Sequence, residues 1–549
     1  MSKKWLRRFM GVSMAMAMSL TACSGSGGTS TAPAATADVA TSAAVQDAYF
    51  SYEPTYDPMY DSVTEDEESD TVEGEEFNTE EYDTIKENGF ASVAKSPLST
   101  FGADVDTASY SNVRRLINMG YTPDAIPNGA VRTEEMVNYF SYSYNGPEDG
   151  EPFGVNAMIS QCPWNEDNLL LHLGLQTEAV DFSQAGDSNI VFLIDVSGSM
   201  SDENKLPLLQ QAFGLLIDEL GEKDCVSIVT YASGEKVVID GVSCDDKDQV
   251  LNALNGLKAG GGTNGSSAIE MAYDLAQKHF IENGNNRVIL ASDGDWNIGI
   301  TSQSELSELI KKKKESGIYL SVLGFGMGNY SDSRMQTMAD DGNGNYAYID
   351  SLREAKKVLV EELGANMVAV ADDVKLQVEF NPVYVSEYRL LGYENRRLNT
   401  EDFEDDTKDA GEVGAGHSVT VLYELVPAKE EAEESDLKYQ ESTITEDAKN
   451  SNEWLTLAVR YKKPGESTSQ LLEYPIGADR LTETPNDDYR FSAAVAEFSM
   501  LLRNSEYKGN ASYEHVLNTL SNIKLSDEYR EEFRDMVRMA VNNSGDTQW

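Results

Sequence analysis

Three stretches of this chain carry oxygen-bearing side chains at spacings that suit a hard metal ion. Val191-Phe-Leu-Ile-Asp-Val-Ser-Gly-Ser-Met200 joins four apolar residues to a polar loop in which Asp195, Ser197 and Ser199 alternate. The alternation lets one carboxylate and two hydroxyls converge where a buried strand ends. Such donors, with no thiolate or imidazole among them, favour Mg²⁺, with Mn²⁺ or Ca²⁺ as alternatives. Two later stretches extend the pattern. Gly260-Gly-Gly-Thr263-Asn-Gly265 opens a helical segment, and Val288-Ile-Leu-Ala-Ser-Asp293-Gly-Asp295 is a second apolar strand ending in a carboxylate.

Other chemistries fit these stretches less well. The glycine run at 260–265 lacks the Gly-Lys-Ser/Thr of a phosphate loop. Gly324-Phe-Gly-Met-Gly328 ends a strand and reads as a turn, and so does Asp340-Asp-Gly-Asn-Gly-Asn345, which has no glutamate at the spacing a calcium loop needs. His172, His279, His417 and His515 all lie outside the three loops, and no cysteine or lysine falls within them. The equipment for general acid–base catalysis is therefore missing, and the expectation is a binding module and not an enzyme. Two alternatives stand beside it: a Mg-dependent hydrolase using Asp195 and Asp293, and a structural scaffold with an idle metal site.

D-x-S-x-S, then a threonine, then a strand-terminal aspartate, in this order, resembles the metal-ion-dependent adhesion site of von Willebrand factor type A domains. The resemblance covers roughly Asn189 to Gly364. It implies that Ser197, Ser199 and Thr263 offer hydroxyls to a divalent cation, and that Asp195 and Asp293 hold it directly or through water. It also implies a coordination position left for a carboxylate, from Asp or Glu, on a partner protein or peptide. The stretch from Phe101 to Phe140 and the region after Asn366 resemble the N-terminal segment and C-terminal domain of one class of bacterial lipoproteins.

Alternating strands and helices must position the three loops. Strands are predicted at Ile190–Asp195, Val226–Tyr231, Lys236–Asp240, Arg287–Ser292, Tyr319–Phe325 and Tyr346–Ile349. Helices are predicted near Pro207–Leu220, Lys247–Leu257, Ser266–Phe280, Ser304–Glu315 and Leu352–Leu363. This pattern predicts an α/β fold, a doubly wound, mostly parallel six-stranded sheet with one antiparallel edge. Ligands of such sheets sit beyond the carboxyl ends of the strands where strand order reverses, which is where Asp195 and Asp293 would lie.

Strands also precede this domain, at Val155–Cys162 and Leu169–Gln176, and follow it, at Asp373–Phe380, Val383–Tyr393, Ser418–Val426, Trp454–Lys462 and Ser469–Pro475. They are expected to pair in one β-sandwich into which the α/β domain is inserted, since neighbouring termini make insertion easy. From Asp487 the chain turns helical, with Phe491, Ala494, Val495, Phe498 and Leu502 on one face and Tyr529, Phe533, Met536, Val537 and Ala540 on another. An amphipathic helix carrying Val113, Leu116 and Ile117 stops at Gly120. Asp106 or Thr107 is its expected cap, although Asp104 and Asp106 are also candidate ion ligands.

The first 23 residues read as an export signal. Lys3, Lys4, Arg7 and Arg8 precede the short apolar stretch Phe9–Ala22, which is too short for an ordinary membrane span. Leu20-Thr-Ala-Cys23 looks like a lipobox, which implies a lipid on Cys23, a membrane anchor and an extracytoplasmic location. Residues 24–87, poor in apolar side chains and then strongly acidic, read as a disordered tether. The remaining boundaries fall at 88–185 (helical segment and first sandwich strands), 186–365 (α/β domain) and 366–549 (β-rich, then helical). With 43 basic and 94 acidic residues the chain has a net charge of −51, which rules against nucleic acid as a partner. Outside the cytoplasm, Cys225 and Cys244, placed opposite each other by a hairpin around Ser233-Gly234, are a candidate disulfide.

Overall fold

Ser188–Asp195 is buried along its whole length because its two faces meet two different layers of helix. Ile190, Phe192 and Ile194 pack towards the helix Leu206–Glu219, with Phe192 stacked on Phe213 at 4.2 Å. Val191 and Leu193 face the helix Ala268–Lys278 through Ile269, Ala272 and Tyr273. A strand with no solvent face needs an unbroken apolar run, and this one has it.

The computed structural model describes residues 80–545 apart from 104, 149, 180–185, 263–266, 295–302, 329, 364–366 and 430–443. Among these residues the strands are β1 (Ala91–Ser92), β2 (Leu98–Gly102), β3 (Phe153–Gln161), β4 (Leu169–Thr177), β5 (Ser188–Asp195), β6 (Cys225–Tyr231), β7 (Glu235–Ser243) and β8 (Asn285–Ser292). They continue as β9 (Tyr319–Phe325), β10 (Tyr346–Ile349), β11 (Ala369–Phe380), β12 (Val385–Leu391), β13 (Gly411–Gly414), β14 (Ser418–Pro427), β15 (Glu453–Lys462) and β16 (Gln470–Gly477).

The central sheet has the order β10-β9-β8-β5-β6-β7, parallel throughout except for β7 at one edge. The chain leaves β5 for β6 on one side and returns to β8 on the other, so strand order reverses between β5 and β8. The two remaining sheets, β1-β12-β14-β4-β3 and β13-β11-β15-β16 with β2 beside β11, enclose one core. Leu171, Leu173 and Leu175 from β4 meet Leu376, Val378 and Leu457 of the opposing sheet there. β4, which precedes the α/β domain, pairs with β14, which follows it, in antiparallel register from Leu169↔Leu425 to Gln176↔Ser418. The α/β domain is thus inserted into a β-sandwich.

The outer face of the same sheet, through Leu170 and Leu422, is covered by the helices Asp487–Leu502, Tyr513–Ser521 and Glu528–Asn543 and by two earlier helices, Ala108–Asn118 and Thr133–Asn138. Gly120 adopts φ +87° just past the first of these, a left-handed conformation that ends the helix and that glycine takes without a Cβ clash.

Several expectations need correction. The segment expected to be tether as far as Glu87 is folded from Glu80: Glu80 accepts from Arg115 at 2.9 Å and from the Gly328 N–H at 3.1 Å, and the Glu81 N–H bonds to Tyr330 at 3.0 Å. Asp106 is not a helix cap. It accepts from the Tyr346 N–H at 3.0 Å and from Arg396 at 3.1 Å, tying the N-terminal segment to the inserted domain, and Thr107 stands at the N-cap without a side-chain bond. A helix at Asp332–Asp341 was not expected, because only Met335, Met338 and Ala339 supply its buried apolar face. Bulges in the β6–β7 hairpin place Cys225 opposite Ser243, one residue short of Cys244, and both thiols are free. Cys23 and Asp104 lie outside the described residues.

Candidate metal centre

Asp195 is the last residue of β5 and Asp293 follows the last residue of β8, so the two parallel neighbours deliver both carboxylates to the same end of the sheet. Both side chains are fully buried. Asp195 Oδ1 accepts from the Ser197 N–H at 2.8 Å and Oδ2 from the Ser292 hydroxyl at 3.2 Å. Burial pushes its carboxyl up to about 6, the nearby Asp293 adds to the rise, and the bonds from Ser197 and Ser292 oppose it. Tyr231, paired with Asp195 across β5 and β6, has its hydroxyl raised well above the usual range, first by burial and then by the Asp195 charge.

The loop after β5 turns Ser197 and Ser199 to the same side, with their hydroxyl oxygens 2.9 Å apart. Two backbone bonds latch this loop to the glycine loop: Gly198 N–H to Gly261 O at 3.0 Å, and Gly260 N–H to Val196 O at 2.8 Å. Gly261, at φ +90°, lies so close to the Ser233 hydroxyl that a Cβ would collide with it, and the Gly262 N–H donates to that same hydroxyl at 3.0 Å. Gly261 is therefore required for this close backbone contact, whereas a Cβ at Gly260 or Gly262 would meet nothing. Thr263 lies outside the described residues, as does Asp295, so the structure brings together Asp195, Ser197, Ser199 and Asp293.

One residue of the site escaped the sequence reading. Lys205, with a side chain only 6% exposed, donates to Asp293 Oδ2 at 2.9 Å. It lies beyond the loop motif, in the turn before the helix Leu206–Glu219, where its N–H bonds to Asp202 O at 3.0 Å and its carbonyl accepts the Leu209 N–H at 2.8 Å. The available signal was its isolation: no other basic residue occurs between Asp195 and Glu219.

These residues fit a hard divalent cation. The donors are oxygens only, and two buried carboxylates share a single ammonium, which leaves one uncompensated negative charge. A buried charge of that kind is costly unless a cation joins it. Among the described residues no group of three or more Asp, Glu, His or Cys side chains is arranged to hold a metal, so the candidate centre rests on this mixed carboxylate and hydroxyl set. His172, His279, His417 and His515 bond elsewhere or lie in the second domain, and none reaches the site.

Comparison with known proteins identifies the family of the inserted domain and of the sandwich around it. The von Willebrand factor type A domain model matches residues 189–361, a model described as von Willebrand factor matches 76–172, and the C-terminal model of the uncharacterized protein YfbK matches 365–542. The uncharacterized protein YfbK of Escherichia coli strain K12 is 40% identical over 471 residues, which span 84% of this chain and 81% of that protein. The bovine inter-alpha-trypsin inhibitor heavy chain H4 is 27% identical over 30% of this chain, but the match spans only 19% of the heavy chain. Among solved structures, a von Willebrand factor type A protein from Catenulispora acidiphila aligns over 74% of this chain and 89% of its own, at 14% identity and a TM-score of 0.39. Because the identity to YfbK runs through both the inserted domain and the sandwich that carries it, this chain belongs to the YfbK family of von Willebrand factor type A domain proteins.

Proposed function

We propose that the protein is a lipid-anchored, extracytoplasmic binding module that captures a carboxylate on a partner protein or peptide through a divalent cation, Mg²⁺ in the first instance. The observation that carries this reading is the pair Asp195 and Asp293, buried side by side at the switch point of the sheet with fewer positive charges than negative ones. When bound, the cation supplies an electrophilic position to an incoming carboxylate. The protein's own residues do the rest. Ser197 and Ser199 offer neutral oxygens, which leave a cation's charge undiminished, and the Ser197 N–H and Ser292 hydroxyl fix the orientation of Asp195. The latch between the two loops keeps the donors in place before a partner arrives, which reduces the ordering cost of binding.

Attachment rests on the lipobox around Cys23, supported by the signal-like residues before it. No helix among the described residues is long and apolar enough to cross a membrane. The acidic stretch between Cys23 and the folded unit would hold the binding face away from the lipid surface.

A pull-down of cell-surface proteins with the full-length chain, with Mg²⁺ and with EDTA, tests the function. Partners recovered with Mg²⁺ should be lost with EDTA and with Asp195→Ala, while the circular dichroism of the variant stays unchanged. Recovery indifferent to both would refute carboxylate capture through this site. Phosphoester hydrolysis that needs Mg²⁺ and Asp195 would assign the site to catalysis instead.

A further inference from the structure

Among the described residues, Lys205 is the buried charged group of the site that the metal-binding motif does not include. Its side chain is held on all sides. The backbone bonds to Asp202 and Leu209 fix it at the start of a helix, and its stem runs against Gly326, where a Cβ would collide with it. Gly326 has φ +73°, and its carbonyl is tied down by the Tyr348 hydroxyl. The ammonium bonds to Asp293 Oδ2 at 2.9 Å, while the exposed Asp202 carboxylate stands 3.9 Å away. Such a buried and braced lysine is a built component of the site and not a surface charge that happens to lie near it.

The charge balance shows what it does. Among the described buried groups, Asp195 and Asp293 contribute two negative charges and Lys205 one positive, so this set carries −1 without a divalent ion and +1 with it, while the Asp202 carboxylate, 68% exposed, is screened by water. Without Lys205 the corresponding values would be −2 and 0. The lysine therefore opposes cation entry, and it leaves the loaded site positive towards an anion. That matters in a chain whose overall charge of −51 repels every carboxylate at long range.

Resting on the proposed carboxylate capture, we infer that Lys205 is the residue that trades cation affinity for anion affinity: it weakens the hold on the divalent ion and strengthens the hold on the partner's carboxylate. The partner class this selects is an acidic group held only when the cation is present, and Lys205 shifts capture to higher divalent-ion concentration. A lysine that merely supported the fold would leave the two affinities to move together. Lys205 moves them in opposite directions.

The test uses the full-length chain, Mn²⁺ as the ion and N-acetyl-glutamate amide as the carboxylate, with proton relaxation of Mn²⁺-bound water reporting both bindings. Lys205→Met keeps the aliphatic stem and removes the charge, and Lys205→Arg keeps the charge. Lys205→Met should bind Mn²⁺ about tenfold more tightly and the glutamate probe about tenfold more weakly, as expected for one unit charge acting across a partly screened site, with Lys205→Arg close to wild type. If Lys205→Met does not fold, Lys205→Gln gives the same readings. Wild-type Mn²⁺ binding with both affinities unchanged, or both weakened, in the neutral variants overturns the role of Lys205 and leaves the metal site standing. Absence of Mn²⁺ binding in the wild type and in the neutral variants alike overturns the metal site, and this inference with it.

Discussion

At the junction between the inserted domain and the N-terminal helices, buried carboxylates meet arginines. Arg114 contacts Asp350 at 2.5 Å, Glu354 at 2.7 Å and Glu532 at 2.8 Å, and Arg132 contacts Glu135 at 3.1 Å and Asp332 at 2.5 Å. At the end of the sheet, by contrast, Asp195 is bonded by neutral donors and only Asp293 has an ammonium. Glu135 and Glu354 at the junction are as hidden from water as Asp195 and Asp293, so burial alone does not separate a structural charge from a functional one. What separates them is the partner. Planar guanidinium groups saturate carboxylates in fixed geometry and lock three segments of chain together, whereas hydroxyls and one lysine leave a charge to be completed from outside.

The contrast is broken most severely on the arginine side. Replacing Arg114 by Met strands Asp350 and Glu354 without their cation, and about 3–5 kcal/mol of stability should be lost, read as a shift of the urea unfolding midpoint. Mg²⁺ should not restore it. A variant as stable as wild type would show that the junction charges are not the clamp described here.

On the metal side the sign reverses. The Asp195 carboxyl holds its proton up to about 6 in the fold, against 3.8 in the unfolded chain. The stability this contributes is present below the lower value and is lost as pH rises through the higher one. At pH 7 the metal-free wild type lacks it, so Asp195→Asn should be more stable by up to about 3 kcal/mol, and the advantage should shrink towards pH 4. A destabilised Asp195→Asn at pH 7 would place Asp195 with the structural charges.

The sheet and its insertion were legible in the chain because each strand needs a burial pattern that few sequences imitate. β5 had to be apolar on both faces, and the pairing of β4 with β14 followed from strands that bracket the α/β domain. The positions of Asp195 and Asp293 followed from the same strands, since the residue after a buried parallel strand is at the ligand end of the sheet. What was not legible depends on contacts distant in sequence. Lys205 reaches Asp293 across 88 residues. Glu80 is ordered by Arg115 and by Gly328, although its local composition reads as disorder. Cys225 and Cys244 are not aligned for a smaller reason: the turn is tight, with Tyr231 opposite Glu235, and the two bulges bring Cys225 only as far as Ser243.

Asp195 and Asp293 are proposed to complete their charge with a divalent ion. Equilibrium binding of Mn²⁺ to the metal-free full-length chain, followed by electron paramagnetic resonance, tests it with the fewest assumptions. One Mn²⁺ per chain is expected, displaced by excess Mg²⁺ and absent from an Asp195→Ala variant whose circular dichroism matches wild type. A wild-type chain that leaves all Mn²⁺ free in solution, or a variant that binds it as well as wild type, would contradict the claim.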